Sequence, residues 1–424
     1  MACPGSGSGR SDVDLDRLGE ELDVRLEAAD RTLVRDYPGQ RAGRQPVHTV
    51  YVPADRFHAG LVTEYGGLAL ASIDEHEALL VELLDDDGSL VDRVREKLAG
   101  EPVEDLRIDF EDGYGPRSDE EEDGAARVAA RELRRAVADG VASPFSGIRF
   151  KSFERPTRAR GLRTLVLFLD ALLEDGPLPE GFVVTLPKVT SVDQVEALVH
   201  TMQRLEADLG LTREALGFEL QIETPQSILG PEGTALVAPM IHASAGRCTG
   251  LHYGTYDYSA FCGIAASQQS LDHAVADHAK AVMQAAAAGT GVRLSDGSSN
   301  RLPIGGPDAV RDAWADHLRL VRRSLERGYY QGWDLHPAQL PTRFGATFSF
   351  YRSGFGAAAQ RLRDYVGRQE SGILDEPATA RALADFLLRG LDCGAIVDDD
   401  VAVATGLDVG RLADLAHRAG GEGS

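Results

Sequence analysis

Three short segments place carboxylates where a buried strand has little reason to carry them. Asp105-Leu-Arg-Ile-Asp109-Phe-Glu111-Asp112, Gly217-Phe-Glu-Leu-Gln-Ile-Glu223 and Leu251-His-Tyr-Gly254-Thr-Tyr-Asp257 each run apolar and then end acidic. A charge in that position calls for a cation, a hydrogen-bond donor or a substrate. Glu223 and Asp257, with Pro225 and Gly254 beside them as turn residues, are the leading metal ligands. Two carboxylates, completed by waters and a bidentate substrate, form the octahedral oxygen shell that holds Mg²⁺. Either one alone is equally well a helix cap or an ion-pair partner. Strand alternation sends Asp109 and Glu111 to one face and Asp112 to the other. There they contact a metal's water shell, orient a basic residue, or form a structural salt bridge to Arg149 or Lys151.

The basic residues complete the set. Of 44 basic residues only four are lysines: Lys97, Lys151, Lys188 and Lys280. Lys151 and Lys188 both fall in strand-like runs. In Gly147-Ile-Arg-Phe-Lys151, Arg149 and Lys151 are two apart and so share a face. Arg149 is the better partner for a substrate carboxylate, because a planar guanidinium donates two parallel hydrogen bonds. Lys188, in Leu186-Pro-Lys-Val, binds an anion, tunes a carboxylate or serves as a structural charge; the sequence does not separate these. His336, in Trp333-Asp-Leu-His-Pro-Ala-Gln339, ends a strand-like run and is a substrate-binding candidate at the same mouth, although a lone histidine there is more often structural than catalytic. His252 and His58 carry less weight.

These residues need a scaffold that gathers strand ends. Strand-like segments at His48–Pro53, Leu106–Phe110, Gly147–Phe153, Phe182–Val189, Phe218–Glu223, Cys248–Tyr253, near 292–294 and at Trp333–His336 alternate with helical stretches. The helical stretches are Glu75–Lys97, Glu120–Asp139, Arg158–Glu174, Val192–Leu209, Ser267–Ala288 and Ala309–Arg327. Eight strands alternating with helices predict an α/β fold, a (β/α)₈ TIM barrel with a helical C-terminal extension. Such a barrel builds its active site from the C-terminal ends of its strands. The expected organisation is a disordered tail over 1–11, a barrel over 12–344 and a helical extension or lid over 345–424. The barrel includes an N-terminal helix, capped by Ser11 or Asp12, and an insertion near 65–100. No GxGxxG or GxxxxGK[ST] follows any strand, so a dinucleotide fold or P-loop has little support.

Composition excludes several classes. The chain has 424 residues, 43% hydrophobic and 26% charged, enough for a full enzyme core. A net charge of -23 argues against nucleic acid as a partner. No apolar run or N-terminal h-region predicts a membrane span or secretory signal. The scattered cysteines (Cys3, Cys248, Cys262 and Cys393) fit a reducing, cytoplasmic setting rather than a disulfide scaffold or structural zinc.

In these residues the chain resembles the HpcH/HpaI aldolase and citrate lyase beta-subunit family, malyl-CoA lyases included, of the phosphoenolpyruvate/pyruvate barrel superfamily. Tyr51-Val-Pro-Ala-Asp-Arg56 is similar to the family's Phe-Val-Pro-Gly-Asp-Arg, and Asp109-Phe-Glu-Asp-Gly113 to its Asp-Leu-Glu-Asp-Ala. Arg149-Phe-Lys151 resembles Arg-Val-Asn, and Leu186-Pro-Lys-Val189 matches outright. Ile222-Glu-Thr224, Gly254-Thr-Tyr-Asp257 and His336-Pro-Ala-Gln339 follow in the family's order, so the likeness covers roughly 45–340.

The resemblance implies a homo-oligomeric carbon–carbon lyase or aldolase using Mg²⁺, or Mn²⁺ in its place. Glu223 and Asp257 would hold the metal, and Arg149 would grip a carboxylate of a 2-oxo acid or acyl-CoA-derived substrate. The reaction would pass through an enolate. The resemblance also implies a C-terminal lid in which Gly372-Ile-Leu-Asp375-Glu-Pro377 makes Asp375 an acid/base candidate, with a helix cap as the alternative. Two departures stand out. Lys151 replaces the family's Asn, and Pro46 and Val47 replace basic residues that would favour CoA phosphates. The alternatives are malate synthase-like condensation with acetyl-CoA, a Schiff-base enzyme using Lys151 or Lys188, and a non-catalytic oxo-acid-binding barrel.

Overall fold

Eight short strands pair in chain order, each parallel to the next, and the last returns to the first to close a barrel. The computed structural model describes residues 14–370 and 377–417. Its strands are β1 (His48–Pro53), β2 (Asp105–Asp109), β3 (Phe145–Arg149), β4 (Phe182–Leu186), β5 (Gly217–Ile222), β6 (Cys248–Tyr253), β7 (Arg293–Ser298) and β8 (Gln331–Asp334). Helices lie between them, so the (β/α)₈ barrel expected from the alternation is present, followed by a helical extension.

The barrel wall is built by period-2 alternation. Val50, Leu106, Ile108, Ile148, Val184, Leu220, Ile222 and Leu251 are all buried in one continuous apolar core with the helices. Each such side chain contributes about 1.5–3 kcal/mol by leaving water. The intervening positions are polar: Asp105, Arg107 and Asp109 on β2, and Glu219, Gln221 and the following Glu223 on β5. These form a buried polar column. Arg107 pairs with Asp105 and, at 2.7 Å, with Glu219. Glu219 meets His252 Nε2 at 3.1 Å, and His252 Nδ1 accepts from the Trp333 indole at 2.9 Å. Because Nδ1 accepts, Nε2 carries the ring proton and His252 is the neutral tautomer. Gly147 faces Arg107 across the register; a Cβ there would come 2.0 Å from the Val183 carbonyl and 3.2 Å from Arg107 Cδ.

Several boundaries differ from the sequence expectation. The expected single helix over 75–97 is two, Leu61–Leu84 and Ser89–Gly100. Asp85 (φ 52°) and Gly88 (φ 103°) turn left-handed between them, and Asp86 accepts from the Gly88 and Leu90 amides. The expected 267–288 helix starts only at Ala274, where the His273 side chain caps it. The seventh strand runs about four residues further than expected, to Ser298, because Ser295-Asp-Gly-Ser298 is polar and hides its strand character. The first helix, Leu15–Asp36, is capped by Asp14, whose carboxylate accepts from Arg17 N at 3.0 Å; it has no buried residue. The proposed caps Ser11 and Asp12, the 1–11 tail and Asp375 lie outside the described residues.

The C-terminal helices are Leu340–Glu370, Pro377–Asp392, Asp398–Thr405 and Val409–His417. The long first one packs on both helices of the 61–100 segment, so insertion and extension form one flank of the barrel. No helix among the described residues is long and apolar enough to cross a membrane.

Candidate functional site at the C-terminal mouth of the barrel

Asp109 ends β2 and organises the rim. Its carboxylate accepts from the Glu111 and Gly113 amides, both at 2.9 Å, which folds 109–113 into a tight turn. Gly113 is needed for that approach, since a Cβ would lie 2.7 Å from Asp109 Oδ2. Asp109 is also paired in register with Arg149 and takes its guanidinium bidentately, at 2.6 and 2.7 Å. One edge of Arg149 is therefore committed to the protein. Its Nη1 remains directed into the mouth, 3.5 Å from Glu111, and the guanidinium lies over the Tyr51 and Trp333 rings at 4.8 and 5.9 Å. Gln221 bridges to β5: its oxygen accepts from Arg149 Nη1 at 3.3 Å and its nitrogen donates to Glu223 Oε1 at 3.2 Å.

Lys188 stands at the centre. It adopts a left-handed backbone (φ 53°), uncommon for a residue with a side chain and a mark of a position held by its surroundings. In that conformation its amide donates to Glu223 Oε1 at 2.7 Å. Its ammonium bonds Glu111 and Asp112, the latter at 2.8 Å, and reaches Asp257 Oδ2 at 3.4 Å. Asp257 sits in the first turn of the helix Thr255–Phe261, just past β6. Gly254 backs Glu223 so closely that a Cβ would lie 2.4 Å from the glutamate's Cβ and Oε2.

The electrostatics are unbalanced. Five carboxylates (Asp109, Glu111, Asp112, Glu223 and Asp257) share two cations, Arg149 and Lys188. Burial raises Glu223 to about 8; Asp257 and Glu111 add to this against Lys188 and Arg149. Burial likewise raises Glu111 to about 7, against the pull of Arg149 and Lys188. For Lys188, burial opposes the charge, but Glu223 and Glu111 outweigh it and hold the ammonium well above the usual lysine range. The oxygen-only donor set of Glu223 and Asp257 suits a hard cation such as Mg²⁺. Among the described residues no three His, Cys, Asp or Glu side chains form a ready-made cage.

The structure gathers Glu111, Asp112, Arg149, Lys188, Glu223 and Asp257 into one mouth, and does not bring Lys151 or His336 into that cluster. Lys151 lies past the end of β3, where strand alternation no longer applies. Its ammonium donates to the Phe110 carbonyl at 2.8 Å and to Glu122 of the outer helix Asp119–Ala138 at 2.6 Å. That pairing corrects the expectation that it shares a face with Arg149. His336 Nδ1 accepts from Ala338 N at 3.1 Å as the cap of a short 3₁₀ turn, with Gln339 completing the capping box. Tyr51, Gln221 and Trp333 were not singled out from the sequence. The alternation Glu219/Gln221/Glu223 was a signal for Gln221; the two rings have none beyond their position on strands.

Comparisons with known proteins bear on the fold. A family model described as a domain of unknown function, DUF6986, matches residues 26–420. No curated protein matches the chain. A citrate lyase structure from Burkholderia xenovorans is 17% identical, with a TM-score of 0.57 over 86% of this chain and 97% of that one. The magnesium/glyoxylate complex of Haloferax volcanii malate synthase is 15% identical, with a TM-score of 0.52 over 90% of this chain and 100% of that one. The barrel thus has the fold of the citrate lyase structures that its motifs resemble.

Proposed function

The chain belongs to the DUF6986 family, and we propose that it is a Mg²⁺-dependent carbon–carbon lyase or aldolase acting on a small 2-oxo acid or its acyl-CoA relative. The observation that carries this reading is the charge imbalance: five carboxylates against two cations in one strand-end mouth. Such an excess of negative charge is what a divalent cation offsets.

Glu223 and Asp257 would hold the cation. When bound, it supplies electrophilic polarisation of a carbonyl. The protein's own groups do the rest. The Nη1 edge of Arg149, fixed from behind by Asp109 and engaged only by long contacts to Gln221 and Glu111, offers a donor to a substrate carboxylate. Lys188, oriented by Glu111 and Asp112, places a fixed positive charge where an enolate oxygen develops as the C–C bond breaks. Tyr51 and Trp333 wall the guanidinium and limit water beneath it.

The reading is tested by calorimetric titration of Mg²⁺, with and without oxalate as an enolate mimic, on the wild type and Glu223→Gln. Oxalate binding that requires both Mg²⁺ and Glu223 supports it. Metal-independent binding, or none, overturns it.

A further inference from the structure

Two cavities lie at the opposite end of the barrel, around the N-terminal ends of the strands. One, of about 420 Å³, lies between the base of β7 and the C-terminal helices; the other, of about 390 Å³, opens beneath β2, β5 and β6. Both are lined by Arg41 and Arg293. Volumes of this size suit a small organic ligand.

The charges there sort by partner. Arg107 is neutralised by Asp105 and Glu219, and Arg247 by Glu206 at 2.6 and 2.9 Å. Arg389 pairs with Asp385 at 2.8 Å and stacks on Tyr330. Arg41 and Arg293 differ. Arg41 donates to the Gly246 and Cys248 carbonyls, Arg293 to the Gly43 carbonyl, and neither has a carboxylate partner within ion-pair distance among the described residues. Three guanidiniums and two carboxylates, Asp385 and Asp392, thus line the larger cavity of a chain whose net charge is -23. Burial, then the neighbouring Arg389 and Arg41, weaken Arg293's hold on its proton and outweigh the more distant carboxylates of Glu219 and Asp392. Burial raises the Asp392 carboxyl, against the pull of Arg44, Arg389 and Arg293. The position of Arg41 is built: Gly291 (φ +77°) leaves the space across which its stem lies, and a Cβ there would come 3.1 Å from Arg41 Cγ. The remaining wall, including Leu294, Leu388, Val409 and Ala413, is apolar.

We propose that this floor cavity is a second binding site, separate from the mouth, for a small organic oxyanion whose carboxylate or phosphate group meets Arg41 and Arg293. Its apolar portion lies against the C-terminal helices. The inference does not depend on the function assigned to the mouth, because no residue is shared.

The test is thermal unfolding and calorimetry on the full chain, without divalent metal and at matched ionic strength. Citrate is the carboxylate probe and pyrophosphate the phosphate probe. Saturable stabilisation by at least one probe is expected, and which one acts identifies the preferred oxyanion. Arg41→Gln and Arg293→Gln should each weaken it at least tenfold, while Glu223→Gln at the mouth leaves it intact. Ala413→Trp keeps both guanidiniums and fills the cavity, so it decides the matter if an arginine variant fails to fold; it should abolish binding. No saturable binding of either probe, binding unchanged in the floor variants, or binding lost in Glu223→Gln overturns the proposal.

Discussion

Gly254→Ala is the sharpest test of how the mouth is held. The backbone at this position is extended (φ -96°, ψ 97°), so alanine adopts it without strain. The added methyl would stand 2.4 Å from Glu223 Cβ and Oε2, where ordinary contact begins near 3.4 Å. Glu223 must therefore yield by roughly 1 Å, a misplacement that costs on the order of 10²-fold when it disturbs a reacting geometry. Overpacking alone costs about 1–3 kcal/mol of stability. Calorimetric Mg²⁺ titration beside urea unfolding separates the two effects. The expected result is a folded variant whose Mg²⁺ affinity falls at least tenfold, or about 1.4 kcal/mol. Gly250→Ala is the matched control, since its Cβ would meet Glu219 Cγ and Oε1 at an ordinary 3.4 Å. A folded Gly254→Ala that binds Mg²⁺ like the wild type, or a Gly250→Ala that loses more affinity, would falsify the idea that Glu223 positions the cation.

Arg107→Met strands Asp105 and Glu219 in the buried column and should destabilise by about 3–5 kcal/mol in urea unfolding. Adding Glu219→Gln should recover part of that loss, and a cost under about 1 kcal/mol would refute the charge-balance argument. Burial opposes ionisation of Glu101, but Arg44 and Lys97 outweigh it and hold the carboxyl down at about 2, below its unfolded value of 4.5. This depressed group stabilises the fold above about pH 4.5 and loses that contribution as pH falls toward 2. Glu101→Gln should accordingly cost about 1–2 kcal/mol near neutrality, after allowance for solvent screening, and the gap should close on acidification; a constant gap would contradict the assignment. Lys151→Met leaves Glu122 without its closest cation and should cost about 1–3 kcal/mol. Oxalate binding with Mg²⁺ should be unchanged, and its loss would return Lys151 to the mouth.

The barrel was legible because its strands are short, apolar on one face and separated by helical periods, which is a local property. The carboxylates at strand ends were legible for the same reason. What a linear reading misses is where a rule stops applying. Lys151 follows Arg149 by two residues, yet β3 ends at Arg149, so the alternation that joined them fails at the last step. The 85–88 turn was signalled by Asp87-Gly88, but the apolar helical spacing continues on both sides of it and the single-helix reading ran across. The pairing of Arg149 with Asp109 was among the alternatives read from the sequence. Its bidentate geometry, which uses Nε and Nη2 and turns Nη1 toward the mouth, depends on inter-strand register and lies beyond spacing alone.

The column running from Arg107 through Glu219, His252 and Trp333 toward Arg149 constrains how this barrel can evolve. Each member satisfies a neighbour's charge or hydrogen bond, so a single drift step strands a polar group in the interior. Neutral substitution is therefore blocked one position at a time and opened only for the set. Related chains should keep Asp105, Arg107, Gly147, Glu219 and His252 together or exchange them together. Within a lineage these five positions would then covary as a block while the helices outside them diverge freely.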